Sequence, residues 1–213
     1  MFIDDKGIKR KPIAYLADFE MFLPSCKETV VYWKRTCDKY GIIGLFPSDT
    51  PIEDGRVIYQ PKDDSYQERI KYIFSCDYNQ MQRSDLCIAQ LDNWRGLNPD
   101  SGTAFELGYF AGKKKPIYGF LSNCTSMIYR TLDKRLEDGT YYDANSYAIE
   151  DRYFPMDNIF ATVTLRENFE EVCKAIRKDF DKQLVAAGYE PYRIDWLVLN
   201  YKNKKSNLHK DSS

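Results

Sequence analysis

Four short apolar runs, each followed by a helix-like segment, constrain the fold of this chain more than any other feature. The runs are residues 12–17 (PIAYLA), 42–46 (IIGLF), 85–91 (DLCIAQL) and 116–121 (PIYGFL). The third is apolar almost throughout, as in a central parallel strand covered on both faces. Between the runs the period becomes helical. Ser25-x-x-Glu28 has the form of a capping box, apolar residues at 26, 30, 33, 37 and 40 make a stripe, and Gly41 is placed to end that helix. Ser65-x-x-Glu68 opens a second helix whose inner face reads as Ile70, Ile73, Phe74 and Met81. Residues 102–111 fit a short helix closed by Gly112. Thr164-x-x-Glu167 caps a last long helix carrying Phe169, Val172, Cys173, Ile176, Phe180 and Leu184 and ending at Gly188. This alternation, with right-handed crossovers, predicts an α/β fold: a single-domain flavodoxin-like or Rossmann-like parallel sheet with helices on both faces. Ligands of such folds sit at the carboxyl ends of the strands, where the strand order switches.

A chain of 213 residues can bury one substantial core, so residues 1–200 are expected to form one domain and 201–213 a polar, flexible tail. Residues 47–64, rich in Pro, Asp and Gly, read as a long loop of the kind that often carries function. Residues 122–158 are polar and Tyr-rich without clear periodicity and read as loops with short helical pieces. A net charge of −1 sets up no field that would gather nucleic acid or an anionic membrane, and no basic groove is apparent. No apolar run has membrane-spanning length and none resembles a signal peptide, so a cytoplasmic protein is expected. The six cysteines form no CxxC pair and fall mostly in apolar patterns; reduced core thiols are expected, and no metal site. His209, the single histidine, lies in the polar tail. Acid–base chemistry must then come from carboxylates, Tyr, Lys or Cys.

The stretch from Leu91 to Gly112, LDNWRGLNPDSGTAFELGYFAG, leaves the third strand, crosses a loop and opens a helix. Asp100 or Ser101 is the natural cap. Gly102, Thr103 and Ala104 are small and let a ligand approach the backbone. Glu106 falls in the first turns, where the helix dipole favours an ionised carboxylate, the state that a carboxylate nucleophile requires. Asp77 shares a face with Ile70 and Met81, a costly position for a carboxylate without a partner or a task. Pairing with Lys or Arg would account for Asp77, and capping for Asp100 and Glu106. Capping does not explain why Tyr15, Asp77, Asp100 and Glu106 should all converge at one end of the sheet.

The run Asp100-Ser-Gly-Thr-Ala-Phe-Glu-Leu-Gly-Tyr109, with Asp85…Leu91-Asp92 before it and Gly112-Lys…Lys115-Pro116 after it, resembles the signature of the nucleoside 2-deoxyribosyltransferases. Tyr15-Leu16-Ala17 is similar to that family's first strand and Phe46-Pro47 to its second strand end. The resemblance covers residues 12–121 and resumes weakly over 150–160. It implies that Glu106 is the nucleophile that attacks C1′, and that Tyr15 orients it. It places Asp77 on the nucleobase side and Asp100 near the sugar hydroxyls and proton transfer. Asn158 matches an asparagine that reaches a neighbouring subunit's site, and Gly102 and Phe22 are placed with the substrate-binding residues. Where the family often reads Tyr-Leu-Ala-Gly-Pro, this chain has Asp18-Phe19 after Ala17.

The activity so implied is transfer of 2-deoxyribose between nucleobases by a retaining double displacement through a deoxyribosyl-Glu106 intermediate. No cofactor is expected. The partners would be a deoxynucleoside and a free nucleobase, within a homo-oligomer (dimer, tetramer or hexamer) with shared active sites. One rival is hydrolysis of nucleosides or deoxynucleoside 5′-monophosphates on the same scaffold; Ser101, Thr103 and the Lys113–Lys115 run could serve a phosphate, although a solvated turn is the plainer reading of those lysines. Another is a non-catalytic nucleotide-binding module.

Overall fold

The structure, a computed structural model, describes residues 10–49, 59–95, 98–122 and 162–186, together with 188 and 190. Strands β1 (Ile13–Ala17), β2 (Ile43–Leu45), β3 (Leu86–Gln90), β4 (Ile117–Phe120) and β5 (Thr164–Arg166) form one sheet in the order β2-β1-β3-β4-β5. Every pairing is parallel. This is the expected α/β sheet with flavodoxin-like strand order, whose direction of winding reverses between β1 and β3. The helices are α1 (Cys26–Lys39), α2 (Tyr66–Arg83), α3 (Ser101–Gly112), α4 (Phe169–Asp179) and α5 (Asp181–Ala186), with a 3-10 turn at Glu20–Phe22.

The strands alternate between two cores. Ala14, Leu16 and Ile88 face α1 and α4, where Trp33 stacks on Phe169 with ring centres 5.0 Å apart and meets Phe120 edge-on at 5.7 Å. Tyr15, Ala17, Cys87 and Ala89 face the other way, against Met81 of α2 and Leu107 and Phe110 of α3. Gly119 in β4 is required by this second layer. A Cβ there would lie 2.6 Å from Val163 Cγ1 and 2.9 Å from Leu91 Cδ1. At its amino end the sheet is tied by Asp85, which accepts two hydrogen bonds from Arg10 (2.5 and 2.9 Å) and one from the Ile13 amide (2.8 Å).

Gly41 ends α1 with φ of 75°, a left-handed conformation that suits glycine. Other sequence expectations are corrected. Ser25 precedes α1 but makes no cap hydrogen bond; its hydroxyl points to Glu20 Oε2 at 3.4 Å. Thr164 does not cap the last helix. Residues 164–166 form edge strand β5, and Asn168 caps α4 by accepting from the Glu171 amide at 3.0 Å. The single long helix expected up to Gly188 is two, broken at Phe180.

The inner face of α2 also differs. Met81 is buried, but Ile70, Ile73 and Phe74 are 45%, 51% and 50% exposed; the buried residues are Glu68, Cys76, Asn79, Gln80 and Met81. Buried positions concentrate in the last two turns of α2, so the apolar residues of the earlier turns face outward. Cys26, Cys37, Cys76, Cys87 and Cys173 are free thiols, as expected. Asn158, the 201–213 tail and most of 122–158 lie outside the described residues. Among the described residues no helix is long and apolar enough to cross a membrane.

Candidate active site

The crevice at the carboxyl ends of β1 and β3 is framed by the segment after Ala17 and by residues 91–95 and 98–100. Tyr15 projects from the middle of β1 onto the α2–α3 side and is fully buried. Its hydroxyl donates to Glu106 Oε1 at 2.6 Å, joining residues 91 positions apart. Such a bond is strongest when the oxygen that accepts it is charged. Asp100 is the N-cap of α3, its Oδ2 accepting from the Thr103 amide at 3.0 Å. Gly102 makes that fold-back possible, because a Cβ there would lie 2.8 Å from the same oxygen.

Glu106 gathers its electrostatic surroundings from four elements. Tyr15 reaches it from β1, Asp77 from α2, Asp100 from the cap of α3, and Asp18 from the residue after β1. The structure thus brings together Tyr15, Asp77, Asp100 and Glu106. Burial is the largest influence on the Glu106 carboxyl and pushes it up to about 8, with Asp77, Asp18 and Asp100 raising it further and the Tyr15 hydrogen bond pulling it down. The expectation of a dipole-ionised glutamate is therefore corrected. Glu106 is the sixth residue of α3, past the first turn in which the dipole acts, and desolvation outweighs it. Burial also lifts Asp77 to about 6. The Tyr15 phenol is driven far above its ordinary range by burial, then by Glu106 and Asp77, and stays protonated as a donor.

Two features escaped sequence reading. Asp18 is 5% exposed and is raised to about 7, chiefly by burial. The departure from Gly-Pro at 18–19 was the visible signal for it. The second is an aromatic shelf at the crevice rim, where Trp94 stacks on Phe19 at 4.7 Å and on Phe22 at 5.7 Å, with the Arg95 guanidinium 5.0 Å from the Trp94 ring centre. Phe22, singled out in the sequence, is the exposed outer member of that shelf. Trp94 lay unremarked in a loop.

The Lys113–Lys115 run stands away from the crevice, at the amino end of β4. Lys115 Nζ donates to the carbonyl oxygens of Met81, Gln82 and Ser84 at 3.2, 3.0 and 2.5 Å, closing the carboxyl end of α2. Among the described residues, no group of three or more His, Cys, Asp or Glu side chains is placed to hold a metal ion.

Comparison with known proteins bears on the fold and the family. A 2-desoxiribosyltransferase from Leishmania mexicana has a similar structure, with a TM-score of 0.53 at 20% identity over 78% of this chain and 97% of its own. The 2-deoxyribosyltransferase of the psychrotolerant bacterium Bacillus psychrosaccharolyticus superposes with a TM-score of 0.48 at 17% identity, over 85% of this chain and 99% of its own. An uncharacterized protein of Schizosaccharomyces pombe is 33% identical over 113 residues, 53% of this chain and 51% of the relative, so the match spans about half the length of that protein. The family model described as nucleoside 2-deoxyribosyltransferase matches residues 14–183, and the chain belongs to that family.

Proposed function

We propose that the protein transfers 2-deoxyribose between nucleobases by a retaining double displacement at C1′. The observation that carries this reading is the 2.6 Å hydrogen bond from Tyr15 to Glu106 in the crevice where β1 and β3 part. Tyr15 fixes one carboxylate oxygen and leaves the other for the sugar. In the first step a Glu106 oxygen bonds to C1′ while the C1′–N bond breaks, and the bond's electron pair leaves with the base, which takes a proton from Asp77. In the second step a nitrogen of the incoming base attacks C1′ and yields its proton to Asp77, and Glu106 departs with its electron pair. The anionic surroundings stabilise the oxocarbenium-like transition state.

The raised acids fit this cycle. With Asp77 near 6 and Glu106 near 8, the pair shares one proton at neutral pH, held mainly on Glu106. Reaction proceeds from the arrangement with that proton on Asp77, where nucleophile and acid are both ready. Asp100, beside Glu106, is assigned to the sugar hydroxyls, and the Phe19–Trp94–Phe22 shelf to the flat base. The acidic crevice and the distant lysine run favour a nucleoside over a 5′-phosphorylated substrate. A cytoplasmic homo-oligomer with shared active sites belongs to the same reading; the exposed apolar side chains of Ile70, Ile73, Phe74 and Phe105 support association alone. Its activity should fall on dilution along with the associated fraction.

Incubation with thymidine and adenine tests the reaction. Deoxyadenosine and thymine are the expected products, and Glu106→Ala should abolish their formation. Base exchange that survives Glu106→Ala refutes the nucleophile, whereas free deoxyribose as the sole sugar product points to hydrolysis.

A further inference from the structure

Asp18 belongs to none of the roles assigned above. Its Oδ1 accepts from the Glu20 amide at 2.6 Å, the Met21 amide also favours the charged carboxyl, and Asp18 so shapes the turn that leaves β1. That task needs one oxygen, which an asparagine would supply equally well. The other oxygen, Oδ2, is buried and has no hydrogen-bond partner among the described residues. A carboxylate oxygen withdrawn from water without a donor is destabilising, and it persists where a partner arrives with the ligand. Its surroundings are not those of a structural ion pair. The charged groups that act on it are Glu20 and Asp100, and Asp18 in turn acts on Glu106.

Position tells what the partner is. Asp18 and Asp100 influence each other and both act on the Glu106 carboxyl, to which the proposed reaction assigns the attack on C1′. Groups that act on the nucleophile from the same end of the sheet are placed to meet the furanose, whose remaining hydroxyls lie within one ring's width of C1′. A hydroxyl is a donor that fits an unpartnered carboxylate oxygen. A phosphoryl group is an anion with acceptor oxygens, and in that position it would meet Asp18, Asp100 and Glu106.

We propose that Asp18 is a substrate-contacting specificity residue of this same site: its free Oδ2 accepts a hydrogen bond from a sugar hydroxyl of the bound deoxynucleoside, and its charge excludes the 5′-phosphorylated form. The inference rests on the deoxyribosyl-transfer reading and adds the residue that contacts the sugar and enforces the preference for the nucleoside.

The experiment measures labelled-adenine exchange into 2′-deoxyadenosine and into 2′-deoxyadenosine 5′-monophosphate, with the full chain as wild type, Asp18→Asn and Asp18→Gly. Asparagine keeps the acceptor for the Glu20 amide and turns the second oxygen into a donor. Wild type should favour the nucleoside by on the order of a hundredfold in kcat/KM. Asp18→Asn should raise the nucleoside KM by about tenfold with a smaller change in kcat, the loss of one charge-assisted hydrogen bond. In both variants the preference for the nucleoside should shrink at least tenfold, while melting profiles show whether each is folded. A wild type that uses the monophosphate as well as the nucleoside overturns the inference, even if both variants fail to fold. Unchanged KM and preference in folded Asp18→Asn also overturns it. In both cases the Glu106 chemistry stands. A wild type that neither exchanges base nor releases deoxyribose overturns the functional reading and this inference together.

Discussion

Replacing Tyr15 by Phe removes one oxygen and changes where the shared proton sits. The phenol donates to Glu106 at 2.6 Å from a fully buried position, so water has no easy route to replace it. A hydrogen bond to a charged group contributes about 1.5–3 kcal/mol, which is about one to two pH units at 1.36 kcal/mol each. Glu106, near 8 in the native protein, should then titrate about one to two units higher. With Asp77 near 6, the wild-type gap places the shared proton on Asp77 in about one molecule per hundred. In Tyr15→Phe that share falls to between about one in a thousand and one in ten thousand. The plateau of kcat/KM for adenine release from 2′-deoxyadenosine should drop about 10- to 100-fold, and its alkaline limb should move up by about one to two pH units. Initial rates from pH 5 to 10 read both effects. An alkaline limb that stays at the wild-type position in Tyr15→Phe refutes the reasoning, however large the loss of rate.

The same acids set the dependence of stability on pH. Glu106, Asp18 and Asp77 titrate near 8, 7 and 6 in the folded protein, against ordinary values of 4.5, 3.8 and 3.8, so between about pH 4 and 8 the native state holds more protons than the unfolded chain and stability falls as pH rises. Glu68 and Glu170 are shifted downward and act oppositely, but only as pH falls through the ordinary carboxylate range and below. The melting temperature should therefore be higher at pH 5.5 than at pH 8, and Glu106→Gln should raise it at pH 8 by a few °C, with a smaller gain at pH 5.5; calorimetry showing the reverse order would contradict the buried-acid account. Trp94→Ala removes the centre of the aromatic shelf, and should raise the KM of a purine deoxynucleoside about tenfold with kcat changed less; an unaltered KM would move the base elsewhere. Gly119→Ala sets a methyl against Val163 and Leu91 and should cost about 1–3 kcal/mol in urea unfolding, whereas a neutral result would mean that the two side chains can give way.

Much of the sheet was legible because its strands are short, apolar and bounded by capped helices. Glu106 could be picked out because it lies in a run specific enough to carry a resemblance, and Tyr15 because its strand matches the same family's first strand. The errors have physical causes. Ile70, Ile73 and Phe74 have helical spacing, but spacing does not say which side of α2 meets the sheet, and only Met81 of that set does. Thr164 and Asn168 are both cap-forming types, and the strand alternation of residues 164–166 is too short to decide between them. The state of Glu106 was misjudged because the dipole can be read from position along a helix, whereas desolvation depends on neighbours distant in sequence. Asp18 went unassigned for the same reason. Its departure from Gly-Pro was visible, but its burial and missing partner exist only in the assembled crevice.

Three acids raised by partial or full burial make refolding a proton-consuming process. At pH 7 the chain should draw roughly one to two protons from its buffer as the crevice closes over Glu106 and Asp18. The heat recorded for folding would then differ between phosphate and Tris by the ionisation enthalpy of whichever buffer supplied them.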